Sequence, residues 1–163
     1  MDQLQDMTVE IVLFQPLIPQ NTGSIARLTA SNQLKLNLIE PLGFELSDKY
    51  LKRAGLDYWK FVNLEVFPDW KSFLTKSNKT PDQISIFTTK AHKNIYQKKF
   101  STGDVLVFGS ESHGLPEEFR EQYGNSSYRI PMIEEGVRSL NLANSVGIVT
   151  FEALRQLRYS SEI

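Results

Sequence analysis

The sequence predicts an α/β domain with a mainly parallel sheet and helices on both faces. Three observations carry that expectation. Short apolar runs alternate with longer helix-like stretches along the whole chain. The runs are apolar at successive residues, Val105 to Phe108 most clearly, as in strands covered on both sides. Several of them end in loops that carry glycine and polar residues, as at Gly109 and Gly136.

In chain order, Val9 to Phe14 reads as a buried strand. Thr22 to Ser31 reads as a helix with Asn21 or Thr22 as its cap, since their side-chain oxygens can accept from the orphan amides of a first turn. Leu36 to Ile39 is a second strand, and Ser47 to Ala54 a helix ended by Gly55. Val62 to Val66 is a strand, Asp69 to Leu74 a helix, and Ile84 to Thr88 a strand. After Val105 to Phe108 comes a glycine-bearing turn and a helix from Pro116 to Tyr123, where proline suits the first helical position because its missing N–H is no loss. Tyr128 to Met132 supplies the last strand. The final helix, from about Leu140 to Arg158, repeats small and apolar residues at helical spacing (Ala143, Val146, Gly147, Thr150, Phe151, Leu154), with Ser139 or Asn141 available to cap it.

A chain of 163 residues fits one domain, 1–163, with residues 1–8 as a loose N-terminal extension. The absence of cysteine excludes disulfides and thiolate-bound zinc, and His92 and His113 are too far apart for a helical metal pair, so no metal is expected. No apolar run approaches a membrane span and no signal-peptide pattern opens the chain, so the expected location is the cytoplasm. A net charge of −1 gives no global pull on nucleic acid, so any RNA contact must be local. Lys90 to Lys99 holds Lys90, His92, Lys93, Lys98 and Lys99 with no acid, and Lys49, Lys52 and Arg53 fall on one helical face. From charge alone, the favoured reading of either cluster is a solvated helix face.

Open α/β sheets bind ligands beyond the carboxyl ends of their strands. The stretches to weigh are therefore Gln15 to Arg27, Gly109 to Pro116, and the segment from Ile130 to Leu154. No GxGxxG follows a strand and no GxxxxGK[ST] occurs, which disfavours a dinucleotide fold or a P-loop. Taken singly, each loop has a plain structural reading: Gly109 and Gly114 as turn glycines, Glu111 as a surface acid near a helix start, Arg27 as an ion-pair partner, Ser139 or Asn141 as a cap.

Taken together, in this order, the loops resemble those of the SPOUT class of RNA methyltransferases. The likeness rests on Asn21-Thr22-Gly23-Ser24-Ile25-Ala26-Arg27 behind Pro16 and Pro19, on Leu106 through Pro116 (LVFGSESHGLP), and on Ile130-Pro131-Met132 through Ser139-Leu140-Asn141-Leu142-Ala143-Asn144. Ile39 to Phe44 (IEPLGF) and Leu51 to Tyr58 (LKRAGLDY) resemble the bacterial branch acting on the tRNA wobble nucleotide. The similarity runs from about Val9 to Leu157.

The resemblance implies a C-terminal trefoil knot and S-adenosylmethionine as cofactor, held by Phe87, Thr88, Gly109, Ile130, Ser139 and Leu140. It implies Arg27 as the catalytic residue working across a homodimer interface, with the first-motif helix and the final helix at that interface. Asn21, Lys52, Arg53 and Arg138 become the expected RNA contacts. The implied reaction is 2′-O-methylation of the C or U at the anticodon's first position, with leucine tRNAs as expected substrates. The alternatives are the same chemistry at another tRNA or ribosomal RNA site, or a knotted RNA-binding protein without turnover. Two residues depart from the branch: His113 stands where relatives often carry Arg, and Phe87 where an aliphatic residue is usual.

Overall fold

The protein is described by a computed structural model over residues 2–47 and 58–160. The strands are β1 (Glu10–Phe14), β2 (Lys35–Ile39), β3 (Asn63–Phe67), β4 (Ile84–Phe87), β5 (Lys93–Asn94), β6 (Val105–Phe108) and β7 (Ser127–Arg129). The helices are α1 (Asp2–Asp6), α2 (Pro19–Ser31), α3 (Trp70–Ser77), α4 (Glu117–Tyr123) and α5 (Leu142–Leu154). The strands form one sheet in the order β3-β2-β1-β6-β4-β7-β5, and every neighbouring pair is parallel.

The side-chain alternation of a strand divides this sheet's apolar residues between two cores. Ile11 and Leu13 of β1, with Leu106 and Phe108 of β6, face the core that takes Ile25 and Ala26 of α2 and Val146, Val149 and Ala153 of α5. Val12 and Phe14, with Val105 and Val107, face the opposite core, closed by Phe73 of α3 and by Phe119 and Tyr123 of α4. Trp70 packs among the rings of Phe73, Phe119 and Tyr123, and its indole N–H donates to the Tyr123 hydroxyl at 3.3 Å. The helices therefore do cover both faces, which is why the central strands read as unbroken apolar runs.

β1 and β6 are neighbours, yet β1 feeds α2 on one face and β6 feeds α4 on the other. Their connections part company at the carboxyl edge, and parallel sheets open a crevice at such a switch point.

The local expectations need five corrections. First, α2 begins at Pro19, so Asn21 and Thr22 lie inside it, buried, and neither caps it; Ile18 is the boundary residue and brings no side-chain cap. Second, residues 2–6 of the expected extension take the form of a short helix; next to it the Arg158 guanidinium donates to the carbonyls of Met7 (2.9 Å) and Asn32 (3.2 Å). Third, residues 90–99 are no helix face: β5 leads into a 3₁₀ turn, Ile95–Gln97. Within that stretch Lys98 is only 8% exposed, its ammonium 3.4 Å from Asp104 and over the rings of Phe100 and Tyr128. Fourth, the last strand stops at Arg129. Fifth, α5 ends at Leu154 and continues as a π-helical turn, Arg155–Tyr159. Asn141, not Ser139, is its N-cap, accepting from the Asn144 amide at 3.1 Å. The helix expected over Ser47 to Ala54 falls almost wholly outside the described residues.

Candidate functional site

At the crevice, the loops after β4, β6 and β7 converge on one cavity of ≈ 900 Å³. Phe87, Thr88, Gly109, Ile130, Ser139 and Leu140, six residues scattered over more than fifty positions, all line it. Asn21 and Arg138 line it as well. Arg27 does not: it is exposed on α2, outside the cavity, with its guanidinium carbon 5.7 Å from the centre of the Tyr58 ring. Lys52 and Arg53 lie outside the described residues.

The loops are held together by one chain of hydrogen bonds. The Glu111 carboxylate accepts from the backbone amides of Leu17 (2.9 Å) and Ile18 (2.8 Å) and from the Asn21 side-chain amide (3.3 Å). The Asn21 side-chain oxygen accepts in turn from the Asn141 side-chain amide at 3.0 Å. Asn141 turns its own oxygen to the start of α5. Glu111 thus supplies from afar the anionic cap that α2 lacks locally, favoured both by the unpaired amides and by the positive end of the helix dipole. The second motif grips the first, and the first holds the third.

The sequence reading missed this arrangement. Glu111 was open as a surface acid near its own following helix, whereas it serves a helix more than ninety positions earlier in the chain. Replacing one of its oxygens with a donor should therefore be costly. In Glu111→Gln one amide nitrogen must face a backbone N–H, leaving a donor against a donor. We expect a loss of about 1–3 kcal/mol, read in thermal unfolding, and a larger proportional loss of ligand binding than of stability; an unchanged melting curve would remove Glu111 from this role.

The loop after β6 has a tight internal geometry. Ser110 and Gly114 exchange backbone hydrogen bonds at 3.3 and 3.0 Å, the Ser110 hydroxyl accepts from the His113 amide at 3.1 Å, and Gly114 sits at φ +64°. A Cβ on Gly109 would stand 2.2 Å from the Gly114 carbonyl carbon and 2.3 Å from the Leu115 nitrogen. Gly109 is thus required by the loop's own backbone.

The cavity's walls divide by chemistry. Phe87, Phe108, Ile130, Met132 and Leu140 give apolar surface, while Thr88, Ser139 and Asn141 bring hydrogen-bonding groups. Lys90, Arg120 and Arg138 bring positive charge, and none of the three is ion-paired among the described residues. Among the described residues, the carboxylate lining it is Glu111, committed to the three donors above. Carboxyls with depressed titration lie elsewhere: Glu65, hydrogen-bonded to Lys35 and Lys76, and Asp69, which accepts from the backbone and hydroxyl of Ser72, both sit below the usual carboxylate range. Among the described residues no group of three or more His, Asp or Glu side chains is placed to hold a metal, and no helix is long and apolar enough to cross a membrane.

Comparison with known proteins gives a consistent picture. Residues 8–151 match the SpoU rRNA Methylase family. The tRNA (cytidine(34)-2′-O)-methyltransferase of Aeromonas hydrophila is 44% identical over 156 residues, 95% of this chain and 98% of that protein. The protein of the same name from Burkholderia cenocepacia is 44% identical over 147 residues, 90% of this chain and 94% of the relative. A solved structure concerned with 2-OH methylation of C/U34 on tRNA superposes with a TM-score of 0.83 at 44% identity, covering 92% of this chain and 96% of that one. The SpoU methyltransferase AviRb from Streptomyces viridochromogenes, 21% identical, shares the fold with a TM-score of 0.81 over 96% of this chain and 62% of its own.

Proposed function

The chain belongs to the SpoU rRNA Methylase family, and from that membership we propose that it methylates the ribose 2′-hydroxyl of the wobble nucleotide, C or U34, of tRNA, with S-adenosylmethionine as methyl donor. The observation that carries this reading is the convergence of three distant loops on one cavity, tied through Glu111, Asn21 and Asn141, in a chain similar over nearly its whole length to enzymes of that activity. Leucine tRNAs are the proposed substrates and the cytoplasm the proposed location. The reading includes a trefoil knot in the C-terminal part, supported by the sheet order β6-β4-β7, in which two later strands flank an earlier one.

The cavity suits the cofactor. Its volume lies within the range of about 300–1,000 Å³ usual for small-molecule sites, and it combines apolar walls with hydrogen-bonding groups. Phe87, Ile130 and Leu140 would flank the purine, and Ser139, Thr88 and the backbone beside Gly109 would supply polar contacts. When bound, S-adenosylmethionine supplies a methyl carbon activated by its sulfonium. What the chain must add is position and charge.

Arg27 is the residue we assign to the acceptor hydroxyl. A guanidinium stays protonated in proteins, so it does not serve as the base. It orients the ribose and its phosphate and stabilises the oxygen as negative charge develops there, while an RNA phosphate takes the proton. Because Arg27 does not line the cavity of its own chain, a second copy would have to present it. The final helix supports such a homodimer. Asn144, Gly147, Ile148 and Phe151 share one face of α5, on which Ile148 is 39% and Phe151 50% exposed. Nothing lies within 4 Å of where a Gly147 Cβ would stand, so a partner helix has room to approach closely.

The deciding measurement is mass-spectrometric mapping of ribose methylation on tRNA from a strain lacking the gene. The 2′-O-methyl group at nucleotide 34 should disappear and return on complementation. Its retention would overturn the target, and the absence of binding heat with S-adenosylmethionine would overturn the enzyme reading in favour of a non-catalytic RNA binder.

A further inference from the structure

We propose that the acid-free segment 90–99 forms an RNA track that starts at the mouth of the cavity and runs along the β5 edge of the sheet, with Lys90 and Lys99 taking phosphates and Tyr96 stacking on a base. The proposal rests on the RNA-methylating reading above and adds to it a surface and named residues.

Four observations place it there. Lys90 lines the cavity, so the track and the reacting site share a border. β5 is the last strand of the sheet, with a neighbour on one side only. Between Asp82 and Asp104 the chain has no acidic residue, and Asp104 is itself taken up by Lys98 in a buried pair. The local positive charge of Lys90 and Lys99, both exposed, is thus undiluted by carboxylates of the same segment, whereas the whole chain is nearly neutral.

The fourth observation concerns Tyr96. Its side chain is 62% exposed, yet its backbone is fixed at both ends of the 3₁₀ turn. The Tyr96 amide donates to the Asn94 side chain at 2.9 Å, and the Asn94 amide donates to the Gln97 side chain at 2.8 Å. Ile95 beneath it is fully buried. A large ring set mostly in solvent on an anchored backbone presents a broad flat surface at a fixed place on the molecule. Unpaired bases of an RNA loop are fitting partners for it, since every base has a π-face while its phosphates seek fixed cations. An anticodon loop, with its splayed single-stranded bases, has the matching chemistry.

The test uses the full-length protein and a fluorescently labelled anticodon stem–loop, with binding followed over a salt series. Tyr96→Ala should weaken binding roughly tenfold, and Tyr96→Phe, which keeps the ring, should retain it. Lys90→Ala and Lys99→Ala should each lower the slope of log affinity against log salt by about 0.7. Cofactor calorimetry should leave Tyr96→Ala and Lys99→Ala at the unmodified protein's affinity for S-adenosylmethionine, which also certifies their folding. Wild-type affinity and salt slope in all three alanine variants would overturn the track while leaving the methyltransferase reading intact. Loss of cofactor affinity in Lys90→Ala with an unchanged salt slope would assign Lys90 to the cofactor carboxylate and remove it from the track. A chain that binds cofactor but no RNA at all would fail the substrate reading and the track together.

Discussion

Arg27→Lys is expected to reduce single-turnover methylation at saturating tRNA by about a hundredfold, the scale on which one preorganised donor acts at a developing oxyanion. The substitution keeps the positive charge, so tRNA affinity and its salt dependence should change little. It removes the planar fork that can hold a phosphate and a hydroxyl at once. A drop in rate without a drop in affinity therefore reports geometry; a near-normal rate would show that the fork is dispensable and the assigned role wrong. The placement of Arg27 adds a second arm. It lies outside the cavity of its own chain, so an Arg27→Lys chain co-assembled with a Leu140→Asp chain, whose cavity wall is spoiled, should regain activity. In that mixed pair one cavity is intact and the arginine facing it comes from the other subunit. Failure to complement, with mixed pairs demonstrably formed, would place Arg27 and the cavity in the same chain.

Gly109→Ala is expected to be the most damaging single-methyl change in the protein. The new carbon would stand 2.2 and 2.3 Å from backbone atoms of Gly114 and Leu115, neither of which can swing aside as a side-chain tip would. Opening the loop to admit it breaks the Ser110–Gly114 bridge and shifts Glu111. We expect a loss of about 3 kcal/mol, equivalent to a melting point lower by roughly 10 °C for a domain of this size, and no measurable cofactor binding. Gly124→Ala is the control. It has no atom within 4 Å of the added carbon and an ordinary helical backbone, so it should leave both readouts near the unmodified protein. Equal effects from the two substitutions would refute the steric account.

The contrast between these residues also shows what could be read from the sequence. The layered α/β architecture was legible because burial on both faces leaves its signature in each strand separately: Val105 to Phe108 needs no distant partner to look like a central strand. The residues expected to hold the cofactor came from an order along the chain that resembles a known class, and the fold brings all six to the wall of one cavity. The ties between loops were not. Glu111 bonds to amides at Leu17 and Ile18, and nothing in the residues around any of the three positions reveals the others. For the same reason α2 was expected to carry its own cap at Asn21 or Thr22, when its cap arrives from another part of the chain. The basic segment failed differently. Its charges were counted together, yet burial withdraws Lys98 into a pair with Asp104, and Lys93 donates to the Asn125 carbonyl over the Tyr128 ring. Composition cannot distinguish a cation in the interior from one facing solvent.

The grip of Glu111 on the start of α2 bears on how a two-fold assembly would work. Glu111 belongs to the loop that walls the cavity, and the helix it anchors carries Arg27 nearly two turns beyond Asn21. In a pair of copies that exchange Arg27, the wall of one cavity is mechanically continuous with the arginine that serves the other. Filling one site and arming its twin then become linked equilibria, and linkage of this kind acts equally in both directions. Titrating cofactor into the pair should consequently reveal two unequal affinities, with the second site's response carried through a single carboxylate.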